Sequence, residues 1–168
     1  MKYIIQPFID EDRELVLELL QRSWGSNRVI AHGSVYFVDR LPGFKAVFTD
    51  DLKDKYDKVL IGLITYKIDT DACEIVTLDS LVPGMGIGTA LVCQVERIAK
   101  SVGCRRLWLI TTNDNTNGLK FYQKCGFRMV AVYPDAVENS RQLKPEIPLV
   151  GNDGIPIRDE IELEKLLD

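Results

Sequence analysis

The sequence predicts a single α/β domain. Three observations carry that expectation. The chain has 168 residues, enough to bury one sizeable core and too few for two. Its centre alternates between β-type and helix-type apolar periodicity, in the order strand, helix, strand, helix, strand. A glycine-rich turn, Gly84 to Thr89, stands between a strand and the most regular helix pattern in the chain.

The elements follow in order. Tyr3 to Phe8 reads as a first strand, and Asp10 stands at a helix N-cap position ahead of Glu11 and Glu14. A helix over about Glu11 to Arg22 carries Leu15, Val16, Leu19 and Leu20 at helical spacing, and Gly25-Ser26-Asn27 ends it. Two extended stretches, Val35–Val38 and Phe44–Phe48, flank Leu41-Pro42-Gly43 and predict a hairpin. After a polar turn over Thr49 to Lys58, Val59–Tyr66 and Cys73–Leu78 predict a second hairpin through Asp69-Thr70-Asp71. Ile87, Leu91, Val95, Ile98 and Val102 recur at helical spacing, with Gly103 as a stop. Arg106–Thr111 is then a strand, Asn115–Cys125 a helix closed by Gly126, and Phe127–Tyr133 a strand. Beyond Tyr133 the chain becomes proline-punctuated, with a short helix over Ala136–Leu143, a turn at Gly151–Gly154 and a half-buried strand over Glu160–Glu164. This extension, about 134–160, is too short to build its own core, so residues 1–168 are read as one domain.

Composition narrows the function. The net charge of −4 supplies no basic field for a polyphosphate backbone, which argues against nucleic acid as a partner. The N-terminus lacks an apolar signal core, and no apolar run is long enough to span a bilayer, so the expected location is cytoplasmic, away from the membrane. Cys73, Cys93, Cys104 and Cys125 form no C-x-x-C pair, and the one histidine, His32, completes no zinc spacing. They are expected to be free, buried packing thiols, with no metal site.

The turn at Gly84-Met85-Gly86-Ile87-Gly88-Thr89 is the chemical centre of the sequence. Glycines let the backbone approach a phosphate closely, and the free N–H groups and dipole of the helix that follows attract its charge. A dinucleotide fingerprint would space its third glycine one place later and follow with an acid, whereas the next strand ends in Thr111. A Walker loop would need Gly-Lys-Ser/Thr, which is absent. A tight strand-to-helix turn with no ligand also fits the glycines.

On Pro83-Gly84-Met85-Gly86-Ile87-Gly88 the chain resembles the GNAT superfamily of N-acetyltransferases, whose pyrophosphate loop is written Q/R-x-x-G-x-G/A. Asn115-Thr116-Asn117-Gly118-Leu119-Lys120-Phe121-Tyr122, running on to Gly126-Phe127, is similar to that family's N-x-x-A-x-x-F-Y-x-x-x-G-F. Two motifs in the right order and separation are far more specific than one. The resemblance covers about Glu74 to Val132 well and fades after Tyr133. Pro83 and Met85 depart from it: Pro83 takes the place of the usual Gln or Arg and has no N–H to donate, and Met85 stands where a basic residue is frequent.

The resemblance implies a mixed, largely antiparallel sheet splayed between its fourth and fifth strands, with helices on both faces. It implies acetyl-CoA as cofactor, held by Gly84, Gly86, Ile87, Gly88, Thr89 and Asn115. It also implies an N-acetyltransferase acting by direct attack in a ternary complex on a primary amine of a small molecule or short peptide. A non-catalytic acyl-CoA-binding module is the alternative, and a homodimer is compatible with either. Tyr122 matches the tyrosine that lies near the CoA sulfur and is the expected general acid, although a tyrosine packed in the core would look the same. A backbone N–H near Leu78 is the expected oxyanion donor. Glu74 resembles the strand-four glutamate of the histone-modifying branch and is the candidate base, with Asp79 or a water chain as the other sources. Strand alternation puts Glu74 on one face with Val76 and Leu78, and Asp79 on the other. Trp24 and His32 fall in the region that contacts the acceptor. Within the extension six acids face three bases, which predicts a weakly negative roof favouring a cationic amine.

Overall fold

The computed structural model describes residues 2–49 and 59–168, so most of the polar turn expected over Thr49 to Lys58 lies outside the described residues. Nine strands are named in chain order: β1 Lys2–Pro7, β2 Arg28–Ala31, β3 Ser34–Phe37, β4 Gly43–Thr49, β5 Leu60–Asp69, β6 Ala72–Ser80, β7 Arg106–Thr112, β8 Arg128–Tyr133 and β9 Glu160–Leu166. The helices are α1 Arg13–Trp24, α2 Ile87–Ser101, α3 Thr116–Lys124 and α4 Ala136–Leu143. Seven strands form one sheet in the order β1-β4-β5-β6-β7-β9-β8, while β2 and β3 pair separately.

The sheet is antiparallel except where β6 meets β7. Those two strands run parallel and pair only over Ala72–Glu74 against Arg106–Trp108. Beyond that point they part, so the sheet is splayed between its fourth and fifth members, as expected. One apolar cluster, with Ile64, Ile75, Ile87, Leu91, Val95, Leu107 and Leu163, lies under α2 and takes in Tyr122 and Phe127. A second, with Val16, Leu20, Val38, Val47 and Leu63, lies under α1 on the other face.

Several local expectations are corrected. Val35–Val38 and Phe44–Phe48 do not pair with each other: β3 turns back on β2 through His32 and Gly33, and β4 inserts between β1 and β5. The Pro42-Gly43 signal marks a change of sheet. Gly43 is required there because a Cβ would fall 2.2 Å from the Ile64 carbonyl oxygen. Asp10 does not cap α1. A 3₁₀ turn over Asp10–Asp12 comes first, and the Asp12 carboxylate accepts from the Ile9 N–H at 3.0 Å. Val102 falls just past α2 and is exposed. Of the thiols, Cys73 and Cys104 are buried and Cys125, half-buried, packs against the core, but Cys93 is exposed and is not a core packing group.

The largest correction lies in β6. Thr65 pairs with Thr77 and Tyr66 with Ile75, which leaves Val76 as an extra residue, a β-bulge. Val76 packs in the α1 cluster and Leu78 in the α2 cluster, so alternation does not continue through the strand. Glu74 and Asp79 therefore share the α1 face, and Leu78 does not. The buried hydroxyls of Thr65 and Thr77, 2.7 Å apart, hold the register across the bulge.

The extension folds back over the gap. β9 threads between β7 and β8, burying Ile161 and Leu163, and the preceding segment reaches the far face. There Lys144 binds the carbonyls of Trp24 and Arg28, each at 2.9 Å. No helix among the described residues is long and apolar enough to cross a membrane.

The seating of α2 depends on Gly62 in β5, where a Cβ would stand 2.7 Å from Ile87 Cγ2 and 3.1 Å from Leu91 Cδ1. Gly62→Ala should destabilise the fold by about 1–3 kcal/mol, the cost of overpacking a filled interface. Urea unfolding measures this, and an unchanged midpoint would show that α2 is seated by other contacts.

Candidate active site

The gap between β6 and β7 and the turn at the start of α2 open into one groove of about 490 Å³. Gly84 and Gly86 take left-handed φ values of +78° and +69° with open space where a Cβ would be. The first intrahelical bond of α2 runs from the Ala90 N–H to the Gly86 carbonyl. The N–H groups of Ile87, Gly88 and Thr89 precede it and have no carbonyl within the helix to bind. Gly88 also lines the groove, and its missing side chain lets the Phe121 ring of α3 approach to 3.2 Å of the Cβ position. The Tyr3 hydroxyl donates to the Met85 carbonyl at 3.3 Å and ties the turn to β1.

Leu78, Ser80, Asn115 and Tyr122 line the same groove. Asn115 caps α3 by accepting from the Gly118 N–H at 3.0 Å while donating to Thr111 Oγ1 at 2.9 Å. A Cβ on residue 118 would collide with that amide, so the glycine there belongs to the cap. Tyr122 is 9% exposed and packs edge-on against Phe121 and Phe127. Burial first, and the nearby Asp79 carboxylate second, push its phenol well above the ordinary range, so it stays protonated.

The backbone of β6 is polarised by the splay. The Leu81 N–H bonds the Ile61 carbonyl on β5. Alternation then directs the Leu78 and Ser80 N–H groups to the other edge, where β7 has moved away. Donors without a strand partner thus face the gap beside Tyr122.

On the α1 face, Asp79 accepts from the Trp24 indole at 3.0 Å. Burial raises its carboxyl, and bonds from Trp24 and Ser23 partly offset the rise. Glu74 is buried at the closed end of the splay and accepts from the Tyr36 hydroxyl at 2.7 Å. Desolvation raises its carboxyl too, against the Tyr36 bond and the charges of Lys67 and His32. Trp24 lines a second cleft of about 500 Å³ with Val29, Ile30, Asp114, Lys144 and Ile157. His32 does not line it. Held at φ +48°, it donates its N–H to the buried Glu160 at 3.0 Å and rests its ring 4.5 Å from that of Tyr133. The sequence reading missed Lys144, Glu160 and Tyr36, whose partners lie 38 to 128 residues away along the chain. It also missed Asp114, which accepts from Asn152 Nδ2 at 2.9 Å and fixes the extension to the entry of α3.

With this geometry in place, comparison with known proteins decides the family. The acetyltransferase (GNAT) family model matches residues 13–127. The chain belongs to the GNAT family. It is 44% identical over 165 residues to YdhI of Bacillus subtilis (strain 168), covering 98% of this chain and 99% of YdhI. It is 41% identical over 163 residues to YxbD of the same organism, covering 97% and 98%. Among solved structures it is similar to a Bacillus subtilis acetyltransferase in complex with CoA, with a TM-score of 0.71, 25% identity, and coverage of 99% of this chain and 100% of that one. This GNAT protein is an acyl-CoA-dependent acetyltransferase that uses acetyl-CoA. The open glycine turn and the groove leading to Tyr122 fit that cofactor.

The loop can be tested without disturbing packing. Gly84 has open space around it, and both Asp and Asn tolerate a left-handed φ. Gly84→Asp should weaken acetyl-CoA binding at least tenfold through charge repulsion, and the neutral Gly84→Asn should do so much less. Calorimetry giving equal affinities for the two variants would show that the pyrophosphate lies elsewhere.

Proposed function

We propose that this GNAT protein acetylates a primary amine of a small molecule or short peptide by direct attack on acetyl-CoA in a ternary complex. The observation that carries this reading is the placement of Asp79 and Tyr122 on the two faces of β6, with the Leu78 and Ser80 N–H groups aimed into the gap between β6 and β7. An acyl transfer needs a base, an oxyanion donor and an acid at one point, and these groups supply them. In the proposed step the amine nitrogen forms a bond to the acyl carbon while the proton it carries passes to Asp79. The charge that develops on the carbonyl oxygen is met by the Leu78 N–H. The carbon–sulfur bond then breaks, and the departing sulfur takes the Tyr122 proton, which solvent restores.

Asp79 is favoured over Glu74 as the base on position. Asp79 is close enough to Tyr122 to raise its phenol. Glu74 lies five residues back along an extended strand and its carboxylate already serves Tyr36. Trp24 then positions Asp79 through its indole N–H. His32, whose N–H is committed to Glu160, contributes to the acceptor side by holding the β2–β3 turn against β9.

Tyr122→Phe keeps the ring and removes the proton. It should lower kcat about ten- to a thousandfold with little change in acetyl-CoA affinity. Turnover equal to that of the unaltered protein would return Tyr122 to a packing role. A protein that binds acetyl-CoA yet acetylates none of a broad amine panel would favour a sensor.

The base is tested by pH. It acts only when ionised, so kcat/KM should fall as pH drops through its pKa. Burial raises that pKa, which shifts the acid limb to higher pH than an exposed aspartate would give. Asp79→Asn should abolish that limb and cost about a hundredfold or more in rate, whereas Glu74→Gln should leave the limb in place. The reverse pattern would move the base to Glu74.

A further inference from the structure

The second cleft holds a cation that catalysis does not use. Lys144, only 7% exposed, lies on its wall near Trp24. Its ammonium donates to the Trp24 and Arg28 carbonyls, both at 2.9 Å. The first belongs to the last turn of α1, where carbonyls are left over and the helix dipole is negative, which accounts for the attraction. An ammonium has three N–H donors, and these bonds use two.

Among the described residues no carboxylate accepts the third N–H. Asp114, on the same wall, is already bound by Thr112, by the Asn152 N–H and by the Asn152 side-chain amide. Glu146 also lines this cleft, with its side chain 65% exposed and 4.0 Å from the Arg28 guanidinium. Burial lowers the Lys144 pKa, the Glu146 charge opposes that shift, and the Arg28 charge adds to it. The rest of the wall is largely apolar, with Val29, Ile30, Ile147 and Ile157. At the same wall Trp24 holds Asp79 by its indole and Lys144 by its carbonyl, so one residue separates the base from the cation.

We infer that the acceptor is a small zwitterionic amine of the amino-acid class, whose carboxylate is met by Lys144 and whose apolar body lies on Val29, Ile30 and Ile157 while its amine faces Asp79. This rests on the small-amine reading above and sharpens it. It also changes the charge expected of the acceptor, because a purely cationic amine would leave Lys144 uncompensated.

Matched acceptor pairs test the inference with the full chain and acetyl-CoA: L-leucine against L-leucinamide, and L-methionine against L-methioninamide, each referred to its free-base concentration. The expected result is a kcat/KM at least tenfold higher for the carboxylates. Lys144→Met should erase that preference by raising KM for the carboxylates about tenfold or more, with kcat and the amide values little changed. Lys144→Arg should restore part of it. Equal use of acid and amide by the unaltered protein, which does not depend on how any variant folds, would overturn the inference while leaving the small-amine reading in place. A uniform loss on all four acceptors in Lys144→Met with no rescue by arginine would also overturn it, by reducing Lys144 to a tie between the extension and α1. Acetyl-CoA binding without turnover on any small amine would overturn both readings together.

Discussion

The structure is organised around the parting of β6 from β7 after three paired residues. A buried strand edge without a partner carries N–H and carbonyl groups that cost free energy unless something binds them. The fold keeps such an edge open in its middle, and everything near it either supports the opening or uses it. Glycines in the turn before α2 give an anion access to one end. The Val76 bulge turns Asp79 toward the acceptor face while keeping Leu78 in the core under α2. The extension then closes the other half of the sheet by placing β9 against β7, so the splay does not cost the domain its integrity.

The elements that frame the groove were legible in the sequence because their signals are local. The glycine turn, the α2 periodicity and the start of α3 near Asn115 each depend on residues within a few positions of one another, and α4 appears over Ala136–Leu143, as the pattern predicts. The β6 faces were misread for a physical reason. A bulge adds one residue without changing the run of β-branched and apolar side chains, so alternation counted from Glu74 fails silently at Val76. The pairing of β3 and β4 failed similarly. Pro42-Gly43 carries real turn chemistry, but His32 and Gly33 at positive φ make the tighter reversal and take β3 first.

The negative roof expected over the acceptor also needed tertiary information. Glu138 pairs with Arg141 and Asp159 with Arg158, while Glu146 stands opposite Arg28. Glu160 is buried, bound by Ser140 and the His32 N–H. Counting charges along the segment treats these as a common field, yet each is met locally and largely screened beyond its partner. The groups that we propose act on the acceptor, Asp79 and Lys144, are ones that burial protects from screening.

This division explains why donor and acceptor are so unequally readable. A pyrophosphate is bound by backbone N–H groups, and the constraint on the backbone shows up as glycines at fixed spacing. The cleft proposed for the acceptor is lined by side chains from α1, β2 and the extension, brought together only by folding. Trp24 is the clearest case, with its indole on Asp79, 55 residues away, and its carbonyl on Lys144, 120 residues away. Neither contact leaves a mark near residue 24, since any residue has a carbonyl and many large side chains would fill that turn. On the proposed reading, the identity of the acceptor depends on long-range pairings around Trp24 and on the extension that supplies Lys144.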